Sequence, residues 1–379
     1  MIVIPLIFFL VSLPSTFQQG KQSIFEDFEA YLNSPTSDVL PIPCFKRYCY
    51  EDQDIGCFDP QALELIPILP PVPVCPHSPE FIQTKFQVYY KNQPNIPLPI
   101  SQISTGTRLA ICVHGYTPSS NSSFTQLMKD TILRLPDIDA CMAVDWDRGA
   151  KSGVYYGSKV VPVEDAVVAA VNLQLVGRIV ARTLYRLHKS KGVQFEDMYY
   201  YGHSFGGEMG HHVALWLKKR YRKKIHRMTL VDPAGPFFLG HPERAIGPED
   251  ADLMDCVSTT FTYNLGVPHF VGIFLSVCQR NFYFNGGGEM LRVQPGCFGS
   301  LLAWCSHFKS IFLVDASVGY CDYSTVRCKY LANFERQKCS RTDVKFGLRE
   351  KNDQNREKGI YFLKLARNPY SCKQQNFVK

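Results

Sequence analysis

Residues 196–224 read EDMYYYGHSFGGEMGHHVALWLKKRYRKK, and their character changes at Gly202. Met198 to Gly202 is a run of strand formers. From Phe205 to Tyr221 apolar residues recur at helical spacing. At the junction Ser204 stands inside Gly202-His203-Ser204-Phe205-Gly206. This G-x-S-x-G pattern belongs to a sharp strand-to-helix turn that pushes a serine Oγ out at the end of a sheet. The flanking glycines remove the Cβ clashes of so tight a turn. The helix that follows aims its free N–H groups at the same spot, where a developing oxyanion can be held.

Working outward, three more apolar runs resemble the strand before Ser204: RLAICVHGY (108–116), ACMAVDW (140–146) and RMTLVDPAG (227–235). A helical pattern, AAVNLQLVGRIVARTLYRLHK, lies between the second run and MYYYG. Short apolar strands alternating with helices predict an α/β fold, with a mostly parallel central sheet and helices on both faces. The proline-rich stretch 66–100 predicts extended chain and turns around one strand candidate, KFQVYYK, and no helix. No internal repeat is seen.

A serine hydroxyl is a weak nucleophile, so it needs a base and an acid that orients the base. In α/β-hydrolases these follow in the order Ser, acid, His. Asp232 sits where a strand stops before Pro233; Asp250, Asp252 and Asp255 are alternatives in a loop-like run. His226, His241, His269 and His307 lie downstream. Chain order and strand-end placement favour Asp232 and His307, the latter in WCSHFKS, read as a non-repetitive stretch. His114-Gly115-Tyr116, ending an early strand, offers the Tyr116 N–H as a second oxyanion donor beside that of Phe205.

The chain has 379 residues, 45% hydrophobic and 20% charged, enough for a buried core and unlike a disordered tail. Residues 1–20 carry an apolar run suited to a secretory signal, and 21–43 read as a polar spacer. No later stretch reads as a membrane span. The 14 cysteines lack any C-x-x-C pair; they suit a secreted, extracellular, disulfide-bonded protein and no zinc ribbon. Asn121, in Asn-Ser-Ser, is the glycosylation acceptor expected. The net charge of +7 is concentrated in KKRYRKK, 218–224. That run reads as cations at a helix C-terminus or as a patch for anionic lipid surfaces. No nucleic-acid motif is seen.

Together these residues resemble the animal pancreatic-lipase family. CYEDQDIGCF, ICVHGYT, CMAVDW, NLQLVGRIVA, GHSFGG, LVDPAGP, FNGG, CSHFKS and CKYLANFERQKC fall in the family's order, from about Cys44 to near Tyr370. The resemblance implies an α/β-hydrolase fold and one lipase domain over 44–379. It implies Ser204 as nucleophile, Asp232 as acid, His307 as base, and Tyr116 and Phe205 as oxyanion donors. It also implies hydrolysis of lipid carboxylic esters through an acyl-enzyme, with no cofactor.

The departures bear on the substrate. Only 72 residues follow His307, so no C-terminal β-sandwich domain and no colipase partner are expected. The family's lid corresponds to Cys297–Cys305, here with seven intervening residues, as in the family's A1-type phospholipases. Phe298, Leu301, Leu302 and Trp304 make it an apolar tip expected to touch a membrane. The second surface loop, 260–287, is not shortened. The family's calcium loop survives only in Glu243, Arg244 and Asp250, with Gly247 where an aspartate is expected, so no metal is expected. The resemblance pairs Cys49–Cys57, Cys297–Cys305 and Cys328–Cys339. It leaves Cys141 without its usual partner, and Cys44, Cys75, Cys112, Cys256, Cys278, Cys321 and Cys372 unpaired. The expected activity is a triacylglycerol-type lipase at a membrane or emulsion surface. A phospholipase A1 acting at sn-1, and a catalytically silent lipid-binding relative, are the alternatives.

Overall fold

The computed structural model describes residues 46–374, apart from 51–53, 63–72, 117, 152–154, 157–158, 161, 236, 239–242, 261–276, 288–293, 298–301 and 349–356. The expected signal and spacer lie outside the described residues. So do Phe298, Leu301 and most of the second surface loop.

Eleven strands form one sheet. In chain order they are β1 (Lys85–Tyr90), β2 (Gln93–Pro99), β3 (Leu109–Val113), β4 (Ala140–Asp145), β5 (Tyr199–His203), β6 (Ile225–Val231), β7 (Ala251–Ser258), β8 (Arg280–Phe284), β9 (Tyr323–Arg327), β10 (Ser340–Phe346) and β11 (Gly359–Leu363). Their spatial order is β10-β9-β11-β8-β7-β6-β5-β3-β4-β1-β2. From β4 to β11 across the middle, neighbours pair in parallel. At either flank the pairing turns antiparallel. The four apolar runs read from sequence are β3 to β6, at the centre of the sheet, and the candidate KFQVYYK is β1. Three of the strands after His307 join this same sheet.

Four helices cover the faces: α1 (Ser123–Leu133), α2 (Pro162–Lys191), α3 (Phe205–Trp216) and α4 (Leu302–Ser317). Every residue of β3 and β5 is buried, as covering on both sides requires. Alternation divides them: Leu109, Ile111 and Val113 pack with α2 and α3, while Ala110 and Cys112 face α1 and α4. Each fully buried Ile, Leu or Val contributes roughly 1.5–3 kcal/mol. The sheet centre is therefore the most strongly held part of the scaffold, and the catalytic-type turn is built on it.

Four local readings need correction. Pro94, Pro97 and Pro99 lie in β2, an edge strand, where a missing N–H costs least, and Pro79–Ile82 is a short helix started by its proline. Asp252 and Asp255 lie in β7 and not in a loop; Asp255 is buried against Arg280, a partner far along the chain. α2 is, over Ala166–Lys191, long and apolar enough to cross a membrane, yet most of that span is buried within the fold, as in a core helix. The helix after Ser204 is α-helical to Trp216 and then a π-type turn, Leu217–Tyr221, ended by Arg222 in the left-handed conformation.

Candidate active site

Ser204 stands between β5 and α3 with φ 57° and ψ −126°, an unfavourable region for a residue with a Cβ. The surroundings fix it there. Its N–H donates to Val231 O at 3.0 Å, and its C=O accepts from Gly207 N at 2.8 Å. Tyr200 Oη donates to Gly206 O at 2.5 Å, bracing the first turn of α3 from the strand beneath. Gly206 lies against the Val113 and His114 carbonyls, where no Cβ fits. A Cβ on Gly115 would stand 2.6 Å from that of Ser204, so the His114-Gly115-Tyr116 turn lies directly against the serine. The first amides of α3, that of Phe205 among them, lack intrahelical partners by geometry.

That second turn is itself anchored. His114 is buried; its Nδ1 lies 3.0 Å from Gly115 O, and its Nε2 accepts from Trp146 N at 3.2 Å. Trp146 Nε1 returns a bond to His114 O at 3.0 Å. The end of β3 is thus tied to the end of β4.

One strand over, Asp232 follows β6 with φ 44° and is fully buried. Its Oδ1 accepts from the amides of Thr259 and Thr260 at 2.8 and 3.0 Å, and its Oδ2 from Thr260 Oγ1. His307 Nδ1 lies 2.7 Å from the same Oδ2. His307 Nε2 is buried and has no hydrogen-bond partner among the described residues. The imidazole is therefore oriented from one side and unengaged on the other.

His307 projects from α4, correcting the non-repetitive reading of WCSHFKS. α4 starts inside the Cys297–Cys305 bridge, so Leu302, Trp304 and Cys305 form its first turn. Glycine and serine before that turn masked the helical period. Trp304 is half-buried and stacks on Phe308, 6.2 Å between centroids, one helical turn on; it does not form an outward tip.

Two residues escaped the sequence reading. Buried Gln294 donates from Nε2 to Thr259 O and Phe284 O, while its own N–H donates to Ser306 Oγ. It joins the turn that holds Asp232 to the helix that carries His307. His203 packs its ring 4.3 Å from that of His307 and 5.4 Å from that of Phe308. Burial, and secondarily His307, hold the His203 imidazole well below its ordinary value, so it stays neutral. Phe205, on the other flank of Ser204, meets Tyr116 at 5.8 Å and Phe238 at 5.7 Å. The serine thus has an aromatic group on either side.

The other candidates fall elsewhere. His226 opens β6 beside Asp252, at the opposite end of the sheet; His241 and His269 lie outside the described residues. Asp250 pairs with His211 of α3 at 2.9 Å and accepts from Gly247 N, so its carboxylate is engaged by a helix side chain and a backbone amide. Among the described residues no group of three or more His, Cys, Asp or Glu could hold a metal ion. Asn121 is exposed, just before α1. The three expected disulfides are present, with Cys256–Cys278 and Cys321–Cys372 in addition.

A family model described as Lipase matches residues 52–368. The chain belongs to the lipase family. It is 27% identical to pancreatic lipase-related protein 2 of Homo sapiens over 305 residues, covering 76% of this chain and 58% of that protein. It is 25% identical to pancreatic triacylglycerol lipase of Equus caballus over 321 residues, covering 77% and 64%. The chain thus spans about three fifths of the length of these curated relatives. An esterase of Pyrobaculum calidifontis is 12% identical with a TM-score of 0.28, covering 66% of this chain and 76% of that one, a likeness too weak to add to the topology. Membership in the lipase family agrees with the α/β-hydrolase order of strands, serine, acid and histidine.

Proposed function

We propose that this member of the lipase family is a secreted lipid carboxylic-ester hydrolase working through an acyl-enzyme. Ser204 Oγ attacks the ester carbonyl while His307 Nε2 takes its proton. Asp232 holds the imidazole by Nδ1 and stabilises the cation that forms. The N–H groups of Tyr116 and Phe205 receive the oxyanion. His307 returns the proton to the leaving alcohol, and water then releases the fatty acid by the same steps reversed. The observation that carries this reading is His307: tied at Nδ1 to a buried carboxylate, without a partner at Nε2 among the described residues, and packed against the ring of His203, the residue before the strained Ser204.

The retained serine and histidine argue against a silent lipid-binding relative. Colipase and nucleic acid form no part of the proposal. Between lipid classes, the short Cys297–Cys305 bridge favours room for a phospholipid head group, with cleavage at sn-1, while triacylglycerol remains the reading drawn from the relatives. Fatty-acid release from phosphatidylcholine vesicles and a triacylglycerol emulsion, with Ser204→Ala as control, tests both. Release from at least one substrate, lost in the variant, is expected. A folded wild type that releases nothing from either contradicts the proposal.

A further inference from the structure

Ten of the 14 cysteines lie in the five described disulfides, and Cys75 is disulfide-bonded as well. Cys112 and Cys141 have no such bond, yet their sulfurs stand 2.7 Å apart. That is far inside the roughly 3.5–4.0 Å at which unbonded heavy atoms rest. The sheet explains the approach. Cys141 of β4 lies opposite Ala110 of β3, and Cys112 lies opposite Ala143, so the two are diagonal neighbours on adjacent strands. Both belong to the cluster that faces α1 and α4, and on the neighbouring strand each is registered with a small alanine. Both are fully buried.

We propose that Cys112 and Cys141 are joined as a further disulfide, strapping β3 to β4 within the core. Each thiol loses a proton. One thiolate attacks the disulfide of an exchange partner, a dithiol oxidase or a small-molecule disulfide, and expels a thiolate. The second cysteine thiolate then displaces the partner's other sulfur. One protein S–S bond forms and the partner disulfide is reduced to two thiols. Burial, then contact with the Cys141 sulfur, hold the Cys112 thiol well above its ordinary value in the folded chain. The bond is therefore made during folding, before the two strands are covered, and soluble reductants do not reach it afterwards. Its position gives it a use: Cys112 is two residues from His114, and β4 ends beside Trp146, so the strap lies directly beneath the turn that carries Tyr116.

The test is thiol mapping of the full chain secreted from a eukaryotic host. The protein is unfolded in guanidinium with N-ethylmaleimide and no reductant, digested, and read by mass spectrometry. The expected result is a peptide pair linked through Cys112 and Cys141, lighter by two hydrogens than the separate peptides, with neither residue alkylated. Cys112→Ser should then release one alkylatable thiol at Cys141. Maleimide on both residues of the wild type, or either one linked to a different cysteine, overturns the proposal.

Discussion

Asp232 and Asp255 are buried carboxylates on neighbouring strands, and their partners give them opposite natures. Asp255 lies within β7 and receives Arg280 Nε and Nη2 at 2.6 and 2.7 Å. A guanidinium never gives up its proton, so that pair is fixed charge against fixed charge and can only hold the sheet together. Asp232 lies just past the end of β6, in a strained backbone, and faces an imidazole that can gain and lose a proton. On the proposed mechanism, the acid at a strand end before an imidazole is the one that serves the chemistry. The acid in mid-strand against arginine remains structural.

The sharpest way to break this contrast is Asp232→Asn. The amide keeps the bulk of the side chain but cannot hold the correct imidazole tautomer or stabilise its cation. kcat for ester hydrolysis should fall about 10⁴-fold, with the far-ultraviolet circular dichroism unchanged. A fall of less than tenfold would remove Asp232 from the reaction. The converse is Asp255→Asn. It leaves Arg280 buried beside a neutral amide, and denaturant unfolding should show a loss of about 3–5 kcal/mol. Activity per folded molecule should stay within about twofold. A large loss of kcat without loss of stability would erase the distinction.

A third buried carboxyl sharpens the comparison because no ion pair engages it among the described residues. Glu208, in the first turn of α3, accepts from Ile246 N with one oxygen and has no partner for the other among the described residues. Burial raises it well above 4.5. The folded protein therefore holds a proton that the unfolded chain gives up near 4.5. Stability should decline as pH rises from there towards the folded value, and stay reduced beyond it. Glu208→Gln, which mimics the protonated form, should match wild type near pH 4 and exceed it in stability near pH 8. Buried His203 and His212, both lowered, act in the other sense and cost stability as pH falls below 6.5. Thermal unfolding across pH for wild type and variant separates the two, and equal curves would mean that Glu208 ionises freely in the fold. The smallest effect belongs to Tyr200→Phe, which removes one hydrogen bond to the first turn of α3. About 1 kcal/mol of stability and a few-fold of kcat should go with it; no change in either would make that bond incidental.

The legible parts of this molecule were those whose signal is local. Gly202 to Gly207 announce a strand, a turn and a helix within one short stretch. Asp232-Pro233 and His114-Gly115 mark two further strand ends. His307 was found by chain order, but its helix was hidden behind the glycine and serine of the Cys297–Cys305 loop. Gln294, Thr259 and Thr260 could not be read at all, since what they do depends on Asp232 and α4 arriving from elsewhere. Asp255 looked like a loop residue because the charge that allows it into a strand sits on Arg280. The two edge strands were missed for the same reason: β2 and β10 carry polar, proline-rich or charged sequence that only an edge tolerates, whereas β1 was legible as KFQVYYK. The basic run 218–224 ends the helix that Ser204 begins, so its cations stand a helix length away from the serine, with Arg220 near Asp54 and Lys224 near Asp252.

The most direct measurement is covalent labelling of the folded protein by a fluorophosphonate, read by peptide mass, beside Ser204→Ala and His307→Ala. A nucleophilic Ser204 activated by His307 predicts one adduct on Ser204 in wild type, none in the first variant and a much slower adduct in the second. No adduct on folded wild type, or labelling of Ser204 at the same rate without His307, would contradict the account.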